Sequence, residues 1–165
     1  MMGYLFVEDG DAYKISPDGW KRISELRKER VASNQGFIAM AFRDETKSIS
    51  TAFQKTIVEC GYNAKRIDEK EHNNQIVPEI FFEIRRSKFV VVDVTIPNNG
   101  AYYEAGYAEA LGKQVIVCCR KNEFSSGISP HFDIAQKSMI IWENEDELEA
   151  KLKKRIEATV GVNTL

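Results

Sequence analysis

Two carboxylates flank a turn that follows the most apolar segment of the chain. Asp93 ends the run Phe89–Val92, and Glu104 follows four residues after Gly100. An uninterrupted apolar run is typical of a buried strand, and the polar residues and glycine after it predict a turn that opens a helix. Open α/β sheets bind ligands beyond the carboxyl ends of their strands. The spacing therefore predicts that both acids lie at a ligand-binding edge, where they could act in catalysis.

Each acid also has a structural interpretation. An acid in the first turn of a helix, where we place Glu104, gains about 0.3–1 kcal/mol from the helix dipole alone. The residues around Glu104 are small or aromatic, which suits a pocket wall better than a solvated helix face. We therefore predict that Glu104 is catalytic. Asp93 either shares in catalysis or accepts backbone N–H bonds from the loop that follows its strand.

Further polar residues are expected at the same edge. Asn98 and Asn99 are typical turn and N-cap residues, and Asn99 could instead bond a sugar hydroxyl. The segment Phe42–Ser48 follows the first apolar strand, so Arg43 and the N–H groups of the next helix could bind a phosphate. The segment has no glycine-rich fingerprint, which argues against a P-loop or a dinucleotide-binding turn.

Apolar strands and amphipathic helices alternate from Gly36 onward. Ile49, Phe53 and Ile57, for example, recur at helical spacing before a stop at Gly61. The predicted strands cover residues 36–42, 62–67, 89–94, 114–119 and 138–142, and the predicted helices lie around 49–60, 76–84, 101–111 and 145–160. Near-continuous apolar strands are typical of a parallel sheet covered on both faces. With right-handed crossovers this predicts an α/β fold, a doubly wound flavodoxin-like or Rossmann-like parallel sheet with helices on both faces.

The first 35 residues differ from the remainder. Residues 4–7 and 12–15 flank an Asp-Gly turn, which predicts a hairpin, and Ser16-Pro17 opens a helix that runs to the charged segment 27–30. We predict an N-terminal hairpin–helix appendage or linker over residues 1–35 and a main domain over residues 36–165. The appendage also resembles the tail of a winged-helix module, and that alternative stays open.

Composition argues against several classes of protein. A net charge of −2 gives no bulk attraction to nucleic acid or to an anionic membrane. No apolar run approaches the length of about 20 residues that spans a bilayer, and the N-terminus lacks the pattern of a signal peptide. Neither histidine has the spacing of a metal ligand, and Cys60, Cys118 and Cys119 show no disulfide pattern. We expect a cytoplasmic protein with reduced cysteines, no metal and no cofactor.

Several of these segments together resemble the nucleoside 2-deoxyribosyltransferase-like superfamily. Its relatives include nucleotide 5′-monophosphate N-glycosidases and domains of bacterial defence proteins. The resemblance covers residues 36–160 in order, and its most specific part is Tyr102-Tyr103-Glu104-Ala105-Gly106-Tyr107-Ala108. The other segments are residues 37–42, 92–95, 98–100, 111–113 and 132–134. The resemblance implies a flavodoxin-like fold and cleavage of the N-glycosidic bond of a small-molecule nucleoside or nucleotide.

The resemblance also implies roles for individual residues. Glu104 would attack the anomeric carbon, and the covalent glycosyl-enzyme would then react with water or with a second base. Asp93 would contact the sugar or base, or help to protonate the leaving base. The substrate-binding residues would be Phe42, Arg43, Asn99, Gly100 and Tyr103.

Two further implications concern the surroundings of the site. Relatives often carry an acid that assists the leaving base on the helix before the strand of Asp93. Glu79 and Glu83 both fit that description, and the sequence does not choose between them. A neighbouring subunit often completes the pocket in this family, so we expect a homo-oligomer, with residues 125–131 as the donated segment.

Two other functions stay open. A Toll/interleukin-receptor-like domain also places a helix-borne glutamate on a flavodoxin-like sheet, where it cleaves NAD. A non-catalytic domain that senses a nucleotide and signals to an attached module would fit the winged-helix-like appendage. Release of nicotinamide would identify the first alternative, and nucleotide binding without turnover would identify the second.

Overall fold

The chain divides into two compact units, Met1–Ser33 and Asn34–Leu165. The computed structural model describes residues 5–8, 12–23, 33–67, 76–126 and 138–163. That the first unit serves as an appendage, a linker or part of a winged helix stays a prediction.

The first unit contains an antiparallel hairpin and a helix. Strands β1 (Leu5–Glu8) and β2 (Ala12–Ile15) pair residue by residue, as expected for a hairpin closed by a short turn. Helix α1 occupies residues 17–23. Ser16 caps this helix, because its Oγ accepts a 3.0 Å hydrogen bond from the backbone N–H of Gly19. The hairpin turn and the predicted end of the helix at 27–30 lie outside the described residues.

The second unit is built on a five-stranded parallel sheet. Its strands are β3 (Gln35–Ala39), β4 (Asn63–Lys65), β5 (Phe89–Asp93), β6 (Gln114–Arg120) and β7 (Ile140–Trp142). Their order across the sheet is β4-β3-β5-β6-β7, and every neighbouring pair is parallel. This is the flavodoxin-like order, so the predicted fold class is confirmed. β4 is shorter than predicted, because only three of its residues pair with β3.

Helices cover both faces of this sheet. They are α2 (Lys47–Glu59), α3 (Ile76–Arg86), α4 (Asn99–Ala110), α5 (Lys121–Ser126) and α6 (Glu145–Thr159), with a 3-10 turn at Asp44–Thr46. α2 and α6 pack on one face, and α3 and α4 pack on the other. The short helix α5 was not among the predicted elements. It buries no side chain, so it leaves no periodic apolar pattern in the sequence.

The two faces of the sheet form two separate hydrophobic cores. Strand residues alternate between them, so Cys118 lies in the core beneath α2 and α6 while Cys119 lies in the core beneath α3 and α4. These two residues and Cys60 are all buried and are not paired in a disulfide. Within the described part of the chain, no helix is both long enough and apolar enough to cross a membrane.

Candidate functional site

The candidate site lies at the carboxyl edge of the sheet, where β3 and β5 are neighbours. The chain leaves β3 toward β4 on one side and leaves β5 toward β6 on the other, so the strand order reverses between them. Such a reversal opens the crevice in which α/β proteins bind ligands. Residues 40–43 after β3 and residues 94–98 after β5 therefore meet at this edge, together with the start of α4.

Glu104 projects back toward the start of α4. A side-chain oxygen of Glu104, Oε1, lies 3.8 Å from the position that a Cβ atom would take at Gly100. Helical side chains lean toward the N-terminus of their helix, which explains this direction. The side chain is half-buried. Its carboxylate therefore lies at the positive end of the helix, on the same edge of the sheet as the end of β5.

The start of α4 differs from the sequence prediction. We predicted a helix from Ala101 with Glu104 in its first turn, whereas α4 begins at Asn99 and its first turn contains no acid. The physical reason is the cap: the side chain of Asn98 accepts a 3.1 Å hydrogen bond from the backbone N–H of Ala101. Asn98 is therefore the N-cap, and Asn99, which was also considered for that role, is an exposed first residue of the helix.

The close packing around Gly100 predicts a difference between two glycines of α4. A Cβ atom at Gly100 would lie 2.9 Å from Asn98 Oδ1, whereas one at Gly106 would have no neighbour within 4 Å. We expect Gly106→Ala to stabilise the protein by about 0.5–1 kcal/mol, because alanine is the better helix former. Gly100→Ala should forfeit that gain, because it displaces the cap. Urea denaturation of both variants measures the difference, and equal stabilisation would contradict it.

Asp93, the second predicted catalytic residue, is fully buried. Its relative exposure is 0 %, and its Oδ1 accepts a 2.7 Å hydrogen bond from the Thr95 hydroxyl. Burial raises the pKa of the carboxyl group from its ordinary value of 3.8 to about 6, against the opposing effects of the Thr95 hydrogen bonds and the Arg120 charge. With no exposed surface, the carboxyl group can influence the site only through the groups around it.

A polar cluster at the ends of three strands surrounds Asp93. The backbone N–H of Arg120 donates a 3.0 Å hydrogen bond to Thr95 Oγ1. The Arg120 guanidinium lies 4.6 Å from the centre of the Trp142 ring and 3.2 Å from Glu145 Oε1. Glu145 also accepts a 2.8 Å hydrogen bond from Ser48. The cluster thus joins the ends of β6 and β7 to the starts of α2 and α6.

Phe42 and Arg43 lie on a loop that Thr46 holds in place. The Thr46 hydroxyl lies 2.8 Å from the carbonyl oxygen of Ala41 and 2.9 Å from that of Arg43. It also accepts a 3.2 Å hydrogen bond from the Arg43 backbone N–H. Phe42 is half-buried, and the side chain of Arg43 is exposed. The hydrogen bonds of the Thr46 hydroxyl therefore order the backbone of the loop and leave the Arg43 side chain accessible to solvent.

Sequence reasoning missed two arginines at this edge. Arg120 ends β6, and Arg66 follows β4 with its guanidinium 5.0 Å from the centre of the Phe42 ring. Neither arginine lies in a sequence motif. Each can therefore be recognised as a site residue only from its contacts with distant segments. A signal for Thr95 was available, since it is a hydroxyl residue two positions after the strand-end acid.

Tyr103 differs from the other predicted site residues in its surroundings. Its side chain is 63 % exposed, and its ring centre lies 5.6 Å from that of Phe81 on α3. Phe81 also contacts Tyr107, with ring centres 4.3 Å apart. Tyr103 therefore packs at the α3–α4 interface, and its predicted role in shaping the pocket stays a prediction.

The structure distinguishes the two acids on α3. Glu83 accepts a 2.8 Å hydrogen bond from the side chain of Gln35, the first residue of β3. It therefore lies near the amino edge of the sheet, opposite the candidate site. Glu79 lies in the first turn of α3, toward the carboxyl edge. Of the two, Glu79 is therefore the acid on the side of the candidate site.

Some predicted features fall outside the described residues. Both histidines, Asp133 and all but the first two residues of the 125–131 segment belong to this group. In the parts of the chain that are described, no cluster of three histidine, cysteine or acidic side chains could hold a metal ion.

The chain has structural relatives but no match by sequence. No protein-family model and no curated protein matches it. Among solved structures 32 chains match, and one of them is the CMP N-glycosidase BcmB of Clostridium botulinum. That similarity has a TM-score of 0.55 and 20 % sequence identity, and it covers 73 % of this chain and 98 % of the other. It supports the flavodoxin-like fold.

Proposed function

We propose that this protein cleaves the N-glycosidic bond of a nucleotide through a covalent glycosyl-enzyme on Glu104. The observation that carries the proposal is the position of the Glu104 carboxylate, which turns back over Gly100 at the point where the strand order reverses. The fold similarity to a CMP N-glycosidase and the segment around Glu104 support the same chemistry.

A carboxylate suits this reaction for two reasons. Cleavage passes through a transition state in which positive charge develops on the sugar ring, and a nearby negative charge stabilises it. The carboxylate can also form a bond to the anomeric carbon as the bond to the base breaks. Water then attacks that carbon and releases the sugar, or a second base attacks it and completes a deoxyribosyl transfer.

Groups at the same edge of the sheet as Glu104 support a nucleotide as substrate rather than a nucleoside. Arg43 presents an exposed guanidinium on the loop after β3. Asn99 and Gly100, at the start of α4, are exposed where backbone N–H groups favour an anion. A 5′-phosphate would bind to these groups while the sugar lies against Glu104. Asp93 would act as a positioning residue through Thr95, and Glu79 would assist the leaving base.

Base release measured by chromatography tests the proposal. The purified protein is incubated with the common ribonucleoside and deoxyribonucleoside 5′-monophosphates, the matching nucleosides and NAD. We expect free base from at least one 5′-monophosphate, at a higher kcat/KM than from its nucleoside. Nicotinamide as the only product would favour the NAD-cleaving alternative, and nucleotide binding without release would favour the sensor. A second free base in the mixture distinguishes transfer from hydrolysis.

Homo-oligomerisation is part of the proposal and has its own test. Val77, Phe82 and Tyr103 are large apolar or aromatic side chains exposed on α3 and α4. Exposed apolar side chains are typical of an interface where they form a contiguous patch, and we propose that these three contribute to one. Sedimentation velocity should give a dimer or larger assembly for the wild type and a smaller species for a Val77→Lys, Phe82→Lys double variant. A monomeric wild type would contradict the proposed homo-oligomer.

A further inference from the structure

We propose that Arg66 is a positioning residue that holds the Phe42 ring as a stacking platform for the nucleobase of the substrate. The inference rests on the proposed function, since it assigns the base-binding part of the same site. Its starting observation is the contact between the Arg66 guanidinium and the Phe42 ring, 5.0 Å from guanidinium carbon to ring centre.

Arg66 is itself held in place by α2. Its Nη1 donates a hydrogen bond to the hydroxyl of Ser50, which is only 3 % exposed. The amide of Gln54, one turn further along the helix, lies 3.4 Å from the same hydroxyl. A planar guanidinium that is fixed at one end can lie against an aromatic ring in one orientation, which a flexible ammonium group cannot do.

Phe42 is thus restrained from two directions. Thr46 fixes the backbone on both sides of Phe42, through its contacts with Ala41 and Arg43, and Arg66 restrains the ring. Phe42 nevertheless retains exposed surface at the edge of the sheet where β3 ends. An aromatic ring that is already ordered loses little conformational freedom when a base stacks on it, so the ordering cost of binding is small.

This arrangement predicts a selective effect of Arg66→Gln. A ring that must be ordered on binding weakens the complex, so we expect KM for the preferred nucleotide to rise about fivefold, with a smaller change in kcat. Affinity for ribose 5-phosphate, which carries no base, should stay unchanged in calorimetric titrations. Ser50→Ala removes a hydrogen bond that restrains the Arg66 guanidinium. This variant should therefore also raise KM, by a smaller factor than Arg66→Gln.

A double-mutant cycle tests whether Arg66 acts through Phe42. In a Phe42→Leu background, Arg66→Gln should have no further effect on KM, because there is no ring left to position. The matched control is Lys88→Gln, which breaks a similar contact between the Lys88 ammonium and the Tyr62 ring at 5.2 Å, at the amino edge of the sheet where β5 begins. That variant should leave KM at the wild-type value.

The results that would overturn the platform differ from those that would overturn the proposed function. A KM effect that persists in the Phe42→Leu background, or that Arg66→Lys fully restores, would mean that the Arg66 charge contacts the substrate directly. Weaker binding of ribose 5-phosphate to Arg66→Gln would also mean that the Arg66 charge contacts the substrate directly. If nucleotides bind, and Arg66→Gln weakens their binding without any base release from the wild type, the platform stands and the cleavage reaction is wrong. A wild type that binds no nucleotide overturns both.

Discussion

We expect Glu104→Gln to lower the rate of base release about a thousandfold or more and to leave the melting temperature within about 2 °C of the wild type. The amide has the shape of the carboxylate but cannot form the covalent bond to the anomeric carbon, nor does it carry the charge that stabilises the transition state. The side chain is half-buried at the edge of the sheet and belongs to neither hydrophobic core, so its replacement should leave packing intact.

The control for this variant is Glu109→Gln on the same helix. Glu109 is exposed near the C-terminal end of α4, away from the carboxyl edge of the sheet, and its amide variant should release base at the wild-type rate. Calorimetric titration of Glu104→Gln with the substrate should still show binding, since only the nucleophile is lost. Full activity in Glu104→Gln, or its failure to fold, would refute the assignment of the nucleophile.

We expect Asp93→Asn to remove a large part of the pH dependence of stability between pH 4 and pH 7.5. Burial raises the pKa of the folded Asp93 carboxyl from 3.8 to about 6, so the folded protein binds this proton more tightly than the unfolded chain does. The resulting stabilisation is fully present below about pH 4 and is lost as the pH rises through about 6. The size of the pKa change corresponds to about 3 kcal/mol.

Urea denaturation of both proteins across this pH range measures the effect. The difference in unfolding free energy, wild type minus Asp93→Asn, should fall by about 2.5 kcal/mol between pH 4 and pH 7.5, since part of the total of about 3 kcal/mol is already lost at pH 4. Other titrating groups are common to both proteins and cancel in the difference. Parallel curves would show that Asp93 does not hold a proton in the folded state.

Thr95→Val offers a second check on the Asp93 carboxyl. The hydrogen bond from the Thr95 hydroxyl favours the charged form of Asp93, so its loss should raise the pKa further and move the stability loss to higher pH, while the backbone hydrogen bond from residue 95 remains. We also expect Asp93→Asn to slow base release without abolishing nucleotide binding. Undiminished turnover in Asp93→Asn would mean that Asp93 has only a structural role.

The fold could be predicted because its signals are local and periodic. The apolar runs of β3, β5 and β6 and the helical spacing of Ile49, Phe53 and Ile57 each report burial within one element. A parallel sheet with helices on both faces then follows from the alternation of these elements. The position of Glu104 near the start of a helix at the strand ends could be predicted for the same reason.

The parts of the site that escaped prediction depend on contacts between distant segments. The sequence around Asp93 does not tell whether its carboxyl is exposed, because that depends on the helices packed against the sheet. The role that we propose for Arg66 depends on its contacts with Ser50 and Phe42, which lie on other elements. The contact between Tyr103 and Phe81 is likewise set by packing between α3 and α4, which the sequence of α4 alone does not show.

The stereochemistry of the product tests the central proposal most directly. The preferred β-nucleotide is cleaved in buffer that contains methanol, and the methyl glycoside formed is identified by ¹H NMR. A covalent intermediate on Glu104 requires two displacements at the anomeric carbon, so the account predicts the β-methyl glycoside, with retained configuration. The α-anomer as sole product would show a single displacement by solvent, and would contradict a covalent role for Glu104.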